Sequence, residues 1–110
     1  MNYDAAAIAA MFTEDGVWDG AQLGYLSGRE AIYQGFLEPN ATVAWMTHTV
    51  LNPIIEIDGD VARCQAYMWL PKILTDGGKS FQGGVHNDRC RRVDGQWLFE
   101  YMQVRLHRLP

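Results

Sequence analysis

The second half of the chain consists of long β-forming runs divided by short glycine turns, and this limits the fold to one built around an antiparallel sheet. Val43 to Ile57, Val61 to Leu74, Ser80 to Val93 and Gln96 to Leu109 are rich in β-branched, aromatic and alternating apolar residues. Asp58-Gly59-Asp60, Thr75-Asp76-Gly77-Gly78 and Asp94-Gly95 separate them, and turns of this composition join neighbouring strands as hairpins. Pro53 and Pro71 mark bulges or edge positions, because proline has no N–H to give to a ladder. Four long strands joined in this way predict an antiparallel meander.

Helical signals are confined to the first forty residues. Asn2 to Phe12 reads as a helix capped by Asn2, with five alanines and an apolar stripe of Ile8, Met11 and Phe12. Thr13-Glu14-Asp15-Gly16 ends it. Val17-Trp18 and Leu23 to Leu26 suit a short strand pair around Asp19-Gly20. Ser27 stands three residues before Glu30, the spacing of a capping box, and Ile32, Tyr33, Phe36 and Leu37 recur at helical intervals. A helix over 28–37 is expected. Two helices ahead of such a sheet give an α+β layer arrangement in one domain of 110 residues.

Alternation also sorts the strand side chains. Cys64, Ala66, Met68 and Leu70 share one face; Arg63, Gln65, Tyr67 and Trp69 share the other. Neither face is cleanly polar, which predicts a sheet covered by helices on one side and by a second subunit on the other.

Few residues carry chemistry. His48 alternates with Met46 and Val50, so its ring can point into an apolar space, either as a core histidine or as a pocket group that takes a proton. His86 and Asp88 lie two apart on one strand and therefore on one side. They can serve as base and orienting carboxylate, or as a structural pair with Arg92. Trp45, Tyr67, Trp69 and Tyr101 are candidates to line a site for a flat apolar ligand. His107 is expected in solvent.

Several function classes are set aside. Cys64 and Cys90 match no zinc spacing and no redox motif, and read as buried thiols, or as a disulfide should their two strands be neighbours. No third ligand accompanies His48 and His86 at a recognisable spacing, so neither a metal nor a cofactor is expected. Thirteen acidic against nine basic residues leave a charge of −4 without the basic footprint that nucleic acid requires. The first fifteen residues lack the features of a signal peptide, and no apolar run is long enough to span a membrane. A cytoplasmic protein is the default.

The chain resembles the SnoaL-like branch of the NTF2-like superfamily. The resemblance rests on Tyr3 to Trp18, on Gly28-Arg29-Glu30-Ala31-Ile32, on Met46 to Asn52 with His48, on Asp58 to Ala62, on Gly84-x-His86-x-Asp88 and on Arg92 to Trp97. It implies a cone: a strongly curved antiparallel sheet packed against short N-terminal helices, often dimeric through the sheet, with a pocket at its open end. Dehydratases, ketosteroid-type isomerases, polyketide cyclases and epoxide hydrolases use that pocket, while other members only bind or assemble. By resemblance His48 takes the position of a catalytic histidine, Asp88 matches the strand aspartate, and His86 stands where many members carry tyrosine. Family members have a longer first helix, so a truncated first helix is also implied, with a pocket either open or lidded by another subunit. Two functions follow as expectations. One is a cofactor-independent lyase or isomerase using His48, His86 and Asp88 on a small cyclic or aromatic compound. The other is a non-catalytic ligand-binding or homo-oligomeric assembly module.

Overall fold

A computed structural model describes residues 2–107. Helix α1 (Ala5–Ala10) is followed by β1 (Phe12–Asp19), a 3₁₀ turn at Ala21–Leu23, β2 (Tyr25–Ser27), α2 (Arg29–Leu37), β3 (Val43–Met46), β4 (Thr49–Asp58), β5 (Val61–Leu74), β6 (Lys79–Val93) and β7 (Gln96–Leu106). The strands form one curled sheet in the order β2-β1-β7-β6-β5-β3, with β4 also paired to β5. Strands β5, β6 and β7 match the expected meander. The sheet as a whole is mixed, because β1 runs parallel to β7.

Local chemistry accounts for the departures at the N-terminal end. Asp4, rather than Asn2, caps α1 by accepting from the Ala7 amide at 3.0 Å. The expected helix stops early because Phe12 is drawn into the core as the first residue of β1, where it is wholly buried. The Ser27–Glu30 capping box does not form. Gly28 precedes α2 at φ 95°, a conformation suited to glycine, and makes no side-chain cap.

Val43 to Ile57 is two strands rather than one. Strand β3 pairs with the end of β5 up to Met46↔Lys72, and β4 resumes at Thr49↔Trp69. Pro71, which has no N–H, lies on β5 at the gap, and its carbonyl accepts from Thr47 at 3.2 Å. The expected alternation of Met46, His48 and Val50 is therefore interrupted at His48. A second irregularity falls in β4 between Leu51 and Ile54, where Asn52 has φ 50° beside Pro53.

Both helices pack on the inner face near β1 and β7. Ala9, Phe12 and Ile32 are buried there, with Trp18, Leu26, Phe36 and Phe99 around them. Further along, Met68, Leu70 and Val104 form a second buried group, joined by Met46 and Met102. The faces of β5 divide as the alternation predicts, and its inner face packs against residues of the curled sheet itself, Val104 and Met102 of β7 and Trp18 of β1. Among the described residues the outer face leaves Trp45, Leu51, Ile54, Tyr67, Trp69 and Phe81 exposed. No described helix is long and apolar enough to cross a membrane.

The packing gives a graded stability expectation. Ile32→Ala, at a fully buried site, is expected to cost about 2–5 kcal/mol. Ile57→Ala on exposed β4 is expected to cost under about 1 kcal/mol. Urea titrations of both variants check the contrast, and equal losses would contradict this placement of the core.

Candidate functional site

The ladder places His86 inside the sheet. On β6 it stands beside Ala66 of β5 and Val104 of β7, and only 6% of its surface is exposed. Two residues on, Asp88 stands beside Cys64 and Met102 on the same inner face. His86 Nδ1 and Asp88 Oδ1 are 3.4 Å apart. The Gln103 amide donates to that same oxygen at 3.2 Å. A backbone N–H therefore compensates part of the cost of burying the carboxylate.

His48 reaches this pair from the break between β3 and β4. Its Nε2 lies 3.2 Å from Nε2 of His86, although 38 positions separate the two residues. The ring centroids are 5.4 Å apart, so the nitrogens face each other along the line joining the rings. His48 is exposed as a residue, yet its ring is partly enclosed. That enclosure lowers its pKa below the usual histidine value of 6.5, and the neighbouring His86 lowers it further. A neutral, half-accessible imidazole backed by a buried imidazole and a carboxylate can accept and return a proton.

The four aromatic candidates do not join this group. Tyr67, Trp69 and Tyr101 fall on the outer face by register, as does Trp45 beside Ile73. Trp45, Tyr67 and Trp69 are 49%, 55% and 41% exposed, and Trp69 stacks on Phe81 with centroids 5.9 Å apart. One groove of about 240 Å³ has both Tyr67 and His86 in its wall, with Asn52, Ile54, Ala66 and Val85. A larger cavity of about 640 Å³ lies away from the histidines, among Glu14, Asp15, Arg29, Arg91 and Asp94. Three of its charged groups are engaged: Arg91 pairs with Glu100 at 3.0 Å and with Asp15 at 3.6 Å, and Arg29 Nε donates to the Phe12 carbonyl at 3.2 Å.

Arg92 pairs with Asp60 at 2.7 Å instead of with His86 and Asp88, because it lies four residues along β6 from Asp88, at the β4–β5 turn. His107 is exposed as expected. Cys64 and Cys90 are free thiols, half-buried and buried respectively. Burial, with Cys64 close by, pushes the Cys90 thiol up to about 12 and makes it a poor nucleophile. Among the described residues no group of three or more His, Cys, Asp or Glu side chains is arranged to hold a metal ion.

Sequence reasoning missed the cluster on the other face. Asp19 accepts from the Tyr101 hydroxyl, from both terminal nitrogens of Arg105 at 3.2 and 3.0 Å, and from the Ala21 amide at 3.1 Å. The Arg105 bond, then the Tyr101 bond, hold Asp19 down to about 2. Tyr101 and Arg105 share one face of their strand, and that much was readable. The parallel pairing that brings Asp19 to them has no local signature.

A model of the SnoaL-like domain matches residues 2–103. The chain belongs to the SnoaL-like family. No curated protein matches the sequence. Among solved structures, Rv3472 of Mycobacterium tuberculosis, a protein of unknown function, is 28% identical with a TM-score of 0.81. That similarity covers 96% of this chain and 62% of the other, so this chain spans less than two thirds of that protein. A Novosphingobium aromaticivorans protein named provisionally as a scytalone dehydratase is 21% identical with a TM-score of 0.81, covering 94% of this chain and 71% of that one. A hexachlorocyclohexane dehydrochlorinase of type 2 is 16% identical, also at 0.81, covering 96% and 73%. At these last identities the likeness is one of fold. It agrees with the curled sheet described above.

The Asp19 cluster carries a pH expectation. Its carboxyl is held below the ordinary 3.8, so its contribution to stability is complete above about pH 4 and lost as the pH falls toward about 2. Asp19→Asn should therefore melt below the wild type at pH 7, and the gap should narrow from pH 4 to pH 2. A gap that stays constant in thermal melts over that range would show that the carboxylate charge is not what stabilises the contact.

Proposed function

We propose that this protein is a cofactor-independent acid–base enzyme, a lyase or isomerase acting on a small cyclic or aromatic compound. The 3.2 Å contact of His48 with His86, itself backed by Asp88, carries the reading. His48 is the group that meets substrate, and His86 and Asp88 orient it and receive charge. Met46, Met68 and Val104 make the surrounding inner face apolar, which suits an uncharged ring. Support from kinship is of a coarser kind. The chain is SnoaL-like, and two proteins of the same fold are named for removing water and hydrogen chloride. In such an elimination a base takes a proton from carbon, the C–H pair becomes the new double bond, and the leaving group departs with its electrons. That step needs a positioned base and acid and no redox partner.

Cyclic alcohols and halides, assayed for elimination by ultraviolet absorbance, provide the test. His48→Gln is expected to lower kcat by about 10²–10⁴ with an unchanged melting temperature. Because the His48 pKa lies below 6.5, the wild-type kcat/KM should be flat near pH 7–8 and fall at lower pH as the base is protonated. A His48→Gln variant that turns over at the wild-type rate would remove His48 from the chemistry.

A second reading, homo-oligomeric assembly, is favoured by the aromatic outer face. Trp45, Tyr67, Trp69 and Phe81 form an exposed apolar surface of the kind that marks an interaction site. A dimer or higher oligomer in sedimentation, dissociated by Trp69→Asp, is expected. A wild type that is monomeric at high micromolar concentration would dismiss this role for the face.

A further inference from the structure

We infer that the atom of His48 that meets substrate is Nδ1, and that each proton taken there displaces another through His86, so that positive charge comes to rest beside Asp88. The inference rests on the acid–base reading above and goes further, assigning the reacting atom and the route of the proton. It follows from which groups can only donate and which can only accept.

A backbone N–H can only donate, and that of Gln103 donates to Asp88 Oδ1 at 3.2 Å. With Asp88 acting as the carboxylate it can only accept, and the hydrogen between Asp88 and His86 then belongs to His86 Nδ1, 3.4 Å away. Neutral His86 then has a bare Nε2. The one hydrogen in the 3.2 Å contact between the two Nε2 atoms must therefore come from His48. With its proton on Nε2, neutral His48 keeps its lone pair on Nδ1. Among the described residues no protein group bonds to that nitrogen, and His48 is the exposed member of the pair. The bonds made by one ring nitrogen set the state of the other. Two rings in series carry that rule from the Gln103 amide to Nδ1 of His48.

The same order of bonds gives a closed proton cycle. When Nδ1 of His48 takes a proton from substrate, the ring becomes a cation with hydrogen on both nitrogens. Its Nε2 proton passes to Nε2 of His86. His48 is then neutral with hydrogen on Nδ1, and His86 is a cation facing the Asp88 carboxylate. The 3.4 Å contact, long for a hydrogen bond, is expected to tighten when the imidazole facing the carboxylate becomes a cation. Delivery reverses the path. His48 gives its Nδ1 proton to the leaving group while His86 returns a proton to Nε2. One proton enters and one leaves, no electrons are exchanged, and both rings end in their starting tautomers. The base of the first step thereby becomes the acid of the second, without a proton from solvent.

Side-chain ¹⁵N spectra of histidine-labelled protein at pH 8, without substrate, test the assignment. His48 should show a protonated Nε2 and a bare Nδ1, and His86 the opposite. Asp88→Ala removes the acceptor that fixes the order, and both rings should move to mixed tautomers. A structural role for Asp88 confined to packing would leave them unchanged. A wild-type His48 carrying its proton on Nδ1 would overturn the inference, as would a His86 carrying its proton on Nε2. Should Asp88→Ala not fold, the wild-type spectrum still decides. Failure of the enzyme reading is separable, because it appears as absent turnover with the tautomers as assigned.

Discussion

The β5–β6–β7 register is the constraint on which the rest of the structure depends. It sets Ala66, His86 and Val104 in one row across the inner face, and Cys64, Asp88 and Met102 in the next. Side chains alternate along a strand, so a slip of one residue in β6 would turn His86 and Asp88 outward and bring Val85, Asn87 and Arg89 into the core. Such a slip would bury an arginine without a partner and expose the paired groups. The buried Met68 and Leu70 on β5 and Val104 on β7 resist it. Apolar packing thereby fixes the position of two polar residues that could not hold that position themselves.

His48 depends on a different feature, a break rather than a ladder. Strands β3 and β4 both pair with β5 but on separate stretches, and Pro71 stands at the gap between them. Because proline offers no N–H, regular pairing of a continuous strand would lapse here in any case. The chain uses the lapse to bring an imidazole onto His86. Pro71 is legible in the sequence as an interruption and His48 as a candidate, but the alternation that would set the direction of His48 does not exist at that point. Its direction depends on the partner strand, and a single-strand pattern cannot contain that information.

What could be read from residues alone follows the same division between local and non-local causes. The bounds of β5 were legible because Asp58-Gly59-Asp60 and Thr75 to Gly78 punctuate it, and its two faces because every second residue changes character. The pairing of His86 with Asp88 was legible because they share a strand face. The contact of His48 with His86 spans 38 positions, and the Asp19–Arg105 contact spans 86. The latter also needs a parallel pairing of the first strand with the last, and no turn chemistry announces that. The placement of the aromatic residues was hidden for a related reason. Trp45, Tyr67, Trp69 and Tyr101 have the composition of a ligand wall, yet parity relative to His86 puts them on the outer face, and parity becomes meaningful only once the register is known.

The polar row also bears on whether these residues serve structure or chemistry. A buried histidine that exists for stability is complete when each of its nitrogens has a partner and no accessible group is needed. His86 and Asp88, with the Gln103 amide, come close to meeting that condition. Burying such groups is costly and offers little net stability over an apolar pair, and the second nitrogen of His86 finds its partner in His48. The row ends there, at an exposed ring with one nitrogen unbonded by any described protein group. That ring is held neutral by enclosure, and its neighbours are apolar on the inner face. Placing the accessible member at the end of the row, rather than in its middle, gives it a free lone pair and a reservoir behind it. A structural role ends once His86 Nε2 has its partner; the free lone pair beyond it is what the proposed proton transfer would use.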